Sequence, residues 1–331
     1  MNSIIKHFIP AALLLYIATG CGKEAIDTQS SKDEEKMITV PLHLNASEYE
    51  SDETTKGLSP YIPDVENLIG DIWVVQYSSR GILLPSSVYH YRKNDPGDLV
   101  VNDLNYASAT SGGVALVEST EPCTVFFIAN LGDNVPEWPD NIYSFKEIMI
   151  PVLDTDPSVH PERLPMRGYY HGPVTHGSKV SVSLGRMLTR LDIVINNMTG
   201  ENISNLNVAL TNAPRYAHIY PNSDVVAFNP AENEATRTQR DAGLSLAAGE
   251  SLNLYYYIAP NLYAGNWPTT LWTTCHLVET DQDVKGAMIL GDVAPSDAEQ
   301  EVYPPVVNPE RNLRLFSNNL YTFTINYVNN K

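Results

Sequence analysis

The stretch Tyr321-Thr322-Phe323-Thr324-Ile325-Asn326-Tyr327-Val328 decides the fold class. Tyr321, Phe323, Ile325 and Tyr327 fall on one face, and Thr322, Thr324, Asn326 and Val328 on the other. A period of two is the mark of a strand with one buried side. The same period recurs upstream. Leu191, Ile193 and Ile195 alternate with Arg190, Asp192 and Asn196; Leu206, Val208 and Leu210 with Asn207, Ala209 and Thr211; Val180, Val182 and Leu184 with Lys179, Ser181 and Ser183. Ile69–Tyr77 is apolar almost throughout, which predicts a strand buried on both faces. Further short strands are expected at Ile82–Leu84, Val88–Tyr91, Leu99–Val101, Val114–Val117, Cys123–Ile128, Val225–Phe228, Leu252–Ile258, Leu271–Leu277 and Lys285–Leu290. Asn141–Met149 reads as a short helix, and Asn130-Leu131-Gly132-Asp133 as a turn. Pro151–Gly177, rich in Pro, Gly and His, reads as a long loop. Short strands at this spacing, without helices between them, predict an all-β chain of two sandwiches. The division falls near residue 185, giving domains 37–185 and 186–331.

Composition agrees. The chain has 331 residues, 43% of them hydrophobic, and a formal net charge of -18. That suffices for real cores, and such a negative balance argues against a nucleic-acid partner, whose phosphates need Lys and Arg. Residues 1–20 have a signal-peptide layout: Lys6, the apolar run Phe8–Ile17, then Ala18, Thr19 and Gly20. The run is too short to span a bilayer. Cys21 follows directly, and Leu15 with Ala18-Thr19-Gly20-Cys21 resembles the lipobox of bacterial lipoproteins. That resemblance implies cleavage before Cys21 and a lipid on its sulfur, anchoring the chain in the outer membrane. Residues 21–36 are polar and expected to be a flexible tether, with Ser31-Lys32-Asp33-Glu34-Glu35 similar to an acidic surface-export tag.

Ile38, Val40, Leu42 and Leu44 alternate with Thr39, Pro41, His43 and Asn45. Pro41 lacks an amide hydrogen, so this strand belongs at a sheet edge. Asn45–Gly57 then reads as an exposed connection. Cys123 and Cys275 lie in apolar runs and read as buried thiols. Dinucleotide, P-loop, zinc-protease and nucleophile-elbow motifs do not occur, so no cofactor and no enzymatic activity is expected. His160, His171 and His176 would need further ligands to hold a metal, and the reading preferred for them is a solvated loop. Glu279, Asp281 and Asp283 form an acidic hairpin tip without the EF-hand glycine. Trp138, Trp267, Trp272 and Tyr255-Tyr256-Tyr257 offer an alternative function, a monomeric surface lipoprotein stacking glycans on an aromatic platform. The bland reading places them in cores, with Tyr255 and Tyr257 on one face and Tyr256 on the other.

Several segments, in order, resemble the fimbrillin-like lipoproteins of Bacteroidetes, which build type V pili. They are Glu66–Tyr77, Val125–Leu131, Leu164-Pro165-Met166-Arg167-Gly168, Leu188–Ile195 and Tyr257-Ile258-Ala259-Pro260-Asn261. The resemblance implies two transthyretin-like sandwiches, no catalysis, and a role as pilus shaft subunit or anchor at the cell surface. Its partners would be other pilin subunits and surface receptors. It also implies assembly by strand exchange. A protease cuts after a basic residue beyond the first strand, that strand leaves, and a neighbour's strand takes its place. On this chain the displaced strand would be Ile38, Val40, Leu42 and Leu44. The cut would fall between Lys56 and Gly57, with Lys where the pilin pattern has Arg. The candidate donor is the strand of Tyr321, Phe323, Ile325 and Tyr327, which reads equally as the closing strand of its own sandwich.

Overall fold

The computed structural model describes residues 35–47, 50–51, 64–92, 113–133, 135, 137–152, 161, 163–220, 236–261, 268–290 and 315–328. The first half contributes β1 (Met37–Val40), β2 (Leu42–Ala46), β3 (Glu50–Ser51), β4 (Asp71–Tyr77), β5 (Tyr89–Arg92), β6 (Val114–Val117), β7 (Ser119–Ala129), β8 (Met149–Pro151), β9 (Met166–Val174) and β10 (Val180–Arg186). The second contributes β11 (Thr189–Met198), β12 (Ile203–Pro214), β13 (Tyr216–His218), β14 (Thr236–Leu246), β15 (Ser251–Ile258), β16 (Thr270–Leu277), β17 (Gln282–Ile289) and β18 (Asn319–Val328). One short helix, α1 (Ile142–Phe145), is capped by the Asn141 side chain, which accepts from Ser144 N at 2.9 Å.

Alternation dictates two sandwiches. A six-stranded sheet in the order β2-β10-β9-β7-β4-β5 faces the β1-β6 pair. Between them lie Val40, Leu42, Leu44, Ile72, Val74, Leu116, Val125, Phe127 and Leu184, all buried. A second sandwich stacks β15-β11-β18-β3 on β14-β12-β16-β17, around Leu191, Ile193, Ile195, Val208, Leu210, Tyr256, Leu271 and Phe323. The chain crosses from β10 to β11 through Met187-Leu188, both buried in a third cluster. There Val75, Tyr77, Phe126 and Ile128 from the outer face of the six-stranded sheet meet Phe145, Ala217, Ile219, Tyr257 and Ala259. β4 and β7 are therefore covered on both faces, which is why Ile69–Tyr77 is apolar at nearly every position. Gln76, a polar residue in the middle of this run, is fully buried and bonds both ways to the Val117 backbone: its Oε1 accepts from Val117 N at 2.8 Å and its Nε2 donates to Val117 O at 2.9 Å.

Three readings of the sequence require correction. Part of Pro151–Gly177 is a strand, β9, whose Gly and Pro residues read as loop formers. Gly168 is needed there because a Cβ would stand 2.6 Å from both the Ser183 carbonyl and Val182 Cγ1 on neighbouring β10. β14 was not expected at all, since Thr236–Asp241 is polar; it is set by its backbone pairing with β12. Ile82–Leu84 forms only single bridges, Ile82 to Asn141 and Leu83 to Tyr77. Leu99–Val101 and Val225–Phe228 lie outside the described residues.

Candidate functional site

The N-terminal ribbon, described over Met37–Ser47 and at Glu50–Ser51, touches both sandwiches. β1 runs antiparallel to β6, from Met37 opposite Val117 to Val40 opposite Val114. At Pro41 the ribbon changes sheets. β2 then lies parallel to β10, from Leu42 opposite Val180 to Ala46 opposite Leu184, as the edge of the six-stranded sheet. Pro41 acts only as an acceptor, taking Val180 N at 3.0 Å. Burial alternates without a break across the switch. Val40, Leu42, Leu44 and Ala46 are buried while Thr39, Pro41 and His43 are exposed, and Ile38 is half-buried. Burying each of the larger side chains is worth roughly 1.5–3 kcal/mol. β3 finally adds to the second sandwich, parallel to β18 at Asn319 and Leu320.

The walls of this groove are held by groups outside the ribbon. β6 pairs along its length only with β1 among the described residues. It is fixed from behind by Gln76 and by Tyr91, whose hydroxyl accepts from Ala115 N at 3.0 Å. Gly113 precedes β6 at φ +79°, and a Cβ there would lie 2.2 Å from the Val40 carbonyl oxygen, so glycine lets the two backbones meet.

Where the sandwiches join, two arginines are almost completely buried, at 1% exposure each. Arg190 donates to Glu66 Oε1 at 2.9 Å and pairs in a fork with Asp192, Nε to Oδ1 at 2.7 Å and Nη2 to Oδ2 at 3.0 Å. The Tyr257 hydroxyl also donates to Glu66 Oε1. Burial pulls the Arg190 pKa down, but the Asp192 bond and the Glu66 and Asp192 charges outweigh it, so the net shift is upward. Arg186 donates through Nη1 to Ser47 O at 2.8 Å and to Asn318 Oδ1 at 3.1 Å, and through Nη2 to Asn67 Oδ1.

Nearby, Arg167 donates to the His218 carbonyl and to Ser317 Oγ at 3.0 Å. Burial lowers the Arg167 pKa to about 10. Burial first, then the Arg167 charge, lowers that of His218. The unfolded chain thus takes up this proton before the folded one does. Stability from neutral His218 is complete above the ordinary value of 6.5 and is lost as pH falls below it towards the lower folded pKa. We expect the urea midpoint of His218→Gln to fall less between pH 7.5 and 5 than that of the parent chain. Equal slopes would refute this.

The residues expected to carry function fall as follows. Tyr321, Phe323 and Tyr327 are buried and Ile325 partly so. Their strand β18 pairs parallel with β11 over nine rungs, Leu320 to Val328, and closes its own sandwich within this chain. Cys21, Lys56, Gly57, His160 and Trp267 lie outside the described residues. Cys123 and Cys275 are free, buried thiols whose pKa burial raises. His171 is exposed on β9 against Thr124 Oγ1 at 3.0 Å, and no cluster of three metal-ligating side chains occurs among the described residues. No helix among them is long and apolar enough to cross a membrane. Tyr257 faces the third cluster with Tyr255, and Tyr256 faces the second core, so this trio forms no exposed platform. Trp138 packs in the third cluster and half-buried Trp272 donates to Thr211 Oγ1 at 3.0 Å. The buried Glu66, Arg186 and Gln76 and the half-buried Asn67 were not anticipated as site residues. Polar residues beside strand-like runs were the only signal.

No family model and no curated protein matches the sequence. Solved structures do. A candidate cell adhesion protein from Parabacteroides distasonis has a TM-score of 0.56 at 13% identity, over 88% of this chain and 89% of that one. A fimbrial assembly protein from the same species has a TM-score of 0.46 at 12% identity, over 89% and 94%. The fimbrial anchor protein Mfa2 from Porphyromonas gingivalis has a TM-score of 0.41 at 13% identity, over 87% and 90%. At these identities the likeness is one of fold. The chain shares the all-β fold of the candidate cell adhesion protein from Parabacteroides distasonis.

Proposed function

We propose that this chain is a non-catalytic subunit or anchor of an adhesive pilus on the cell surface, of the fimbrillin-like kind, tethered to the outer membrane through acylated Cys21. One observation carries the assembly half of this reading: among the described residues, the ribbon is an edge element whose buried side chains are the part of the first core contributed from before the candidate cut at Lys56. Losing it would leave an apolar trough, with the β10 edge and the β6 edge unpaired. Both are strong demands for a replacement strand. A second copy's extended segment meets them by β-augmentation, through ladder bonds and alternate side chains in the vacated seats. The cell-adhesion designation of the Parabacteroides structure supports the adhesive half, as does the ordered set of sequence segments.

The test is limited trypsin treatment of the purified protein followed by electron microscopy and unboiled gel electrophoresis. Filaments or SDS-resistant ladders are expected only after cleavage at Lys56. A cleaved chain that stays monomeric, or one whose ribbon cannot be dislodged, would overturn strand exchange. Mass spectrometry of surface material then separates the roles. A chain beginning at Gly57 is a shaft subunit, and one retaining acylated Cys21 is an anchor.

A further inference from the structure

We infer that Arg186 is the positioning residue that locks the occupant of the ribbon groove. It requires that occupant to run through the junction between the sandwiches and present a main-chain carbonyl where Ser47 does. Ser47 is the hinge of the ribbon. Its N–H donates to Leu184 O at 2.8 Å, the last rung on β10, and its hydroxyl donates to the same oxygen at 3.1 Å. Three residues later the ribbon is paired with β18. At this hinge the ribbon meets a buried guanidinium.

Two further acceptors of Arg186, Asn67 and Asn318, belong to segments that stay. Asn67 follows the candidate cut at Lys56, and Asn318 lies in the turn leading into β18, with its own N–H donating to Leu188 O at 3.0 Å. Glu66, beside Asn67, is fixed by Arg190. A cut at Lys56 therefore separates Ser47 from every other partner named here. When the ribbon goes, a desolvated cation loses an acceptor at 2.8 Å, and hydrogen bonds to charged groups are among the costlier ones to lose. A filler that ends at the position of Ala46 restores the apolar seats but not this bond. The partner that fits is an extended segment of a second copy spanning both sandwich edges, rather than a short apolar plug.

For an incoming strand this rests on the strand-exchange reading; for the resident ribbon it does not, and the experiment separates the two. In the intact chain, hydrogen exchange is followed in Arg186→Met, or in Arg186→Lys should the first fail to fold. The amides of Asn45 and Ser47, which face β10, are expected to exchange at least about tenfold faster than in the parent, with those of Val125–Ile128 unchanged. Unchanged ribbon amides would overturn the assignment. In trypsin-nicked parent protein freed of its ribbon, two C-terminally amidated peptides then compete, residues 37–46 and 37–47. The longer is expected to bind at least about tenfold tighter, and the gap to shrink in the Arg186 variant. Equal binding overturns the requirement on an incoming strand. If neither peptide binds, strand exchange fails while the exchange rates still judge Arg186.

Discussion

Glu66→Ala is expected to lower the unfolding free energy by about 3 kcal/mol, the low end of what removing one partner of a buried ion pair costs. Glu66 is completely buried and Arg190 is 1% exposed, so neither charge is screened by water. The substitution deletes the carboxylate that accepts from Arg190 Nη1 at 2.9 Å and from the Tyr257 hydroxyl. Asp192 retains its fork on Arg190, and the Tyr255 ring lies 5.3 Å from the guanidinium carbon, which holds the loss near that low end. The pair Glu66→Leu with Arg190→Met should recover only part of it: the Glu66 and Arg190 charges are both gone, but Asp192, 14% exposed, loses its fork. Urea midpoints at constant slope are the measurement. A loss below about 1 kcal/mol in the single variant would show that the cluster relaxes to water and does not bind the halves together.

That cluster also shows where the sequence stopped being readable. The strand of Tyr321–Val328, the alternation through Pro41 and the doubly apolar Ile69–Tyr77 were legible because a face buried along its whole length imposes its period on the residues. Tyr255, Tyr256 and Tyr257 fell on the faces their alternation assigns. Arg190 looked like the solvent side of β11. The outward face of that strand is indeed polar further along, at Asp192 and Asn196, but its first turn is roofed by Met187, Leu188 and Tyr257 from the third cluster. A charge buried by elements distant in sequence carries no local signature. Arg190 and Glu66 lie 124 positions apart. β9 was lost for the opposite reason. Gly168 and Gly172 look like breakers, yet Gly168 serves a close approach of two strands that only the assembled sheet reveals. Gln76 and Asn67 were quoted within segments resembling a family, but their work is done across the sandwich and across the junction, where one-dimensional spacing says nothing.

Gly113→Ala should loosen the ribbon more than any other single methyl added to its walls. Gly113 sits at φ +79°, where a side chain costs about 1–2 kcal/mol. The added Cβ would also stand 2.2 Å from Val40 O, 2.6 Å from Val40 C and 3.0 Å from Pro41 N, all of them backbone of the ribbon at its change of sheets. Something must move. β6 is tied to the six-stranded sheet through Gln76 and Tyr91, whereas β1 has β6 as its sole strand partner among the described residues. The displacement therefore falls on β1. We expect a total of about 2–3 kcal/mol, which accelerates exchange of the Ile38 and Val40 amides, those that face β6, by roughly thirtyfold or more and leaves Phe126 and Ile128 unaffected. Gly132→Ala supplies the control. Its φ of +60° carries the same conformational penalty, but nothing lies within 4 Å of the added carbon. If the two variants open the ribbon equally, the contact between Gly113 and Val40 does not govern its release. If only Gly113→Ala does, the same substitution should hasten loss of the ribbon once the chain is cut, since closing strength and exchange readiness draw on one backbone contact.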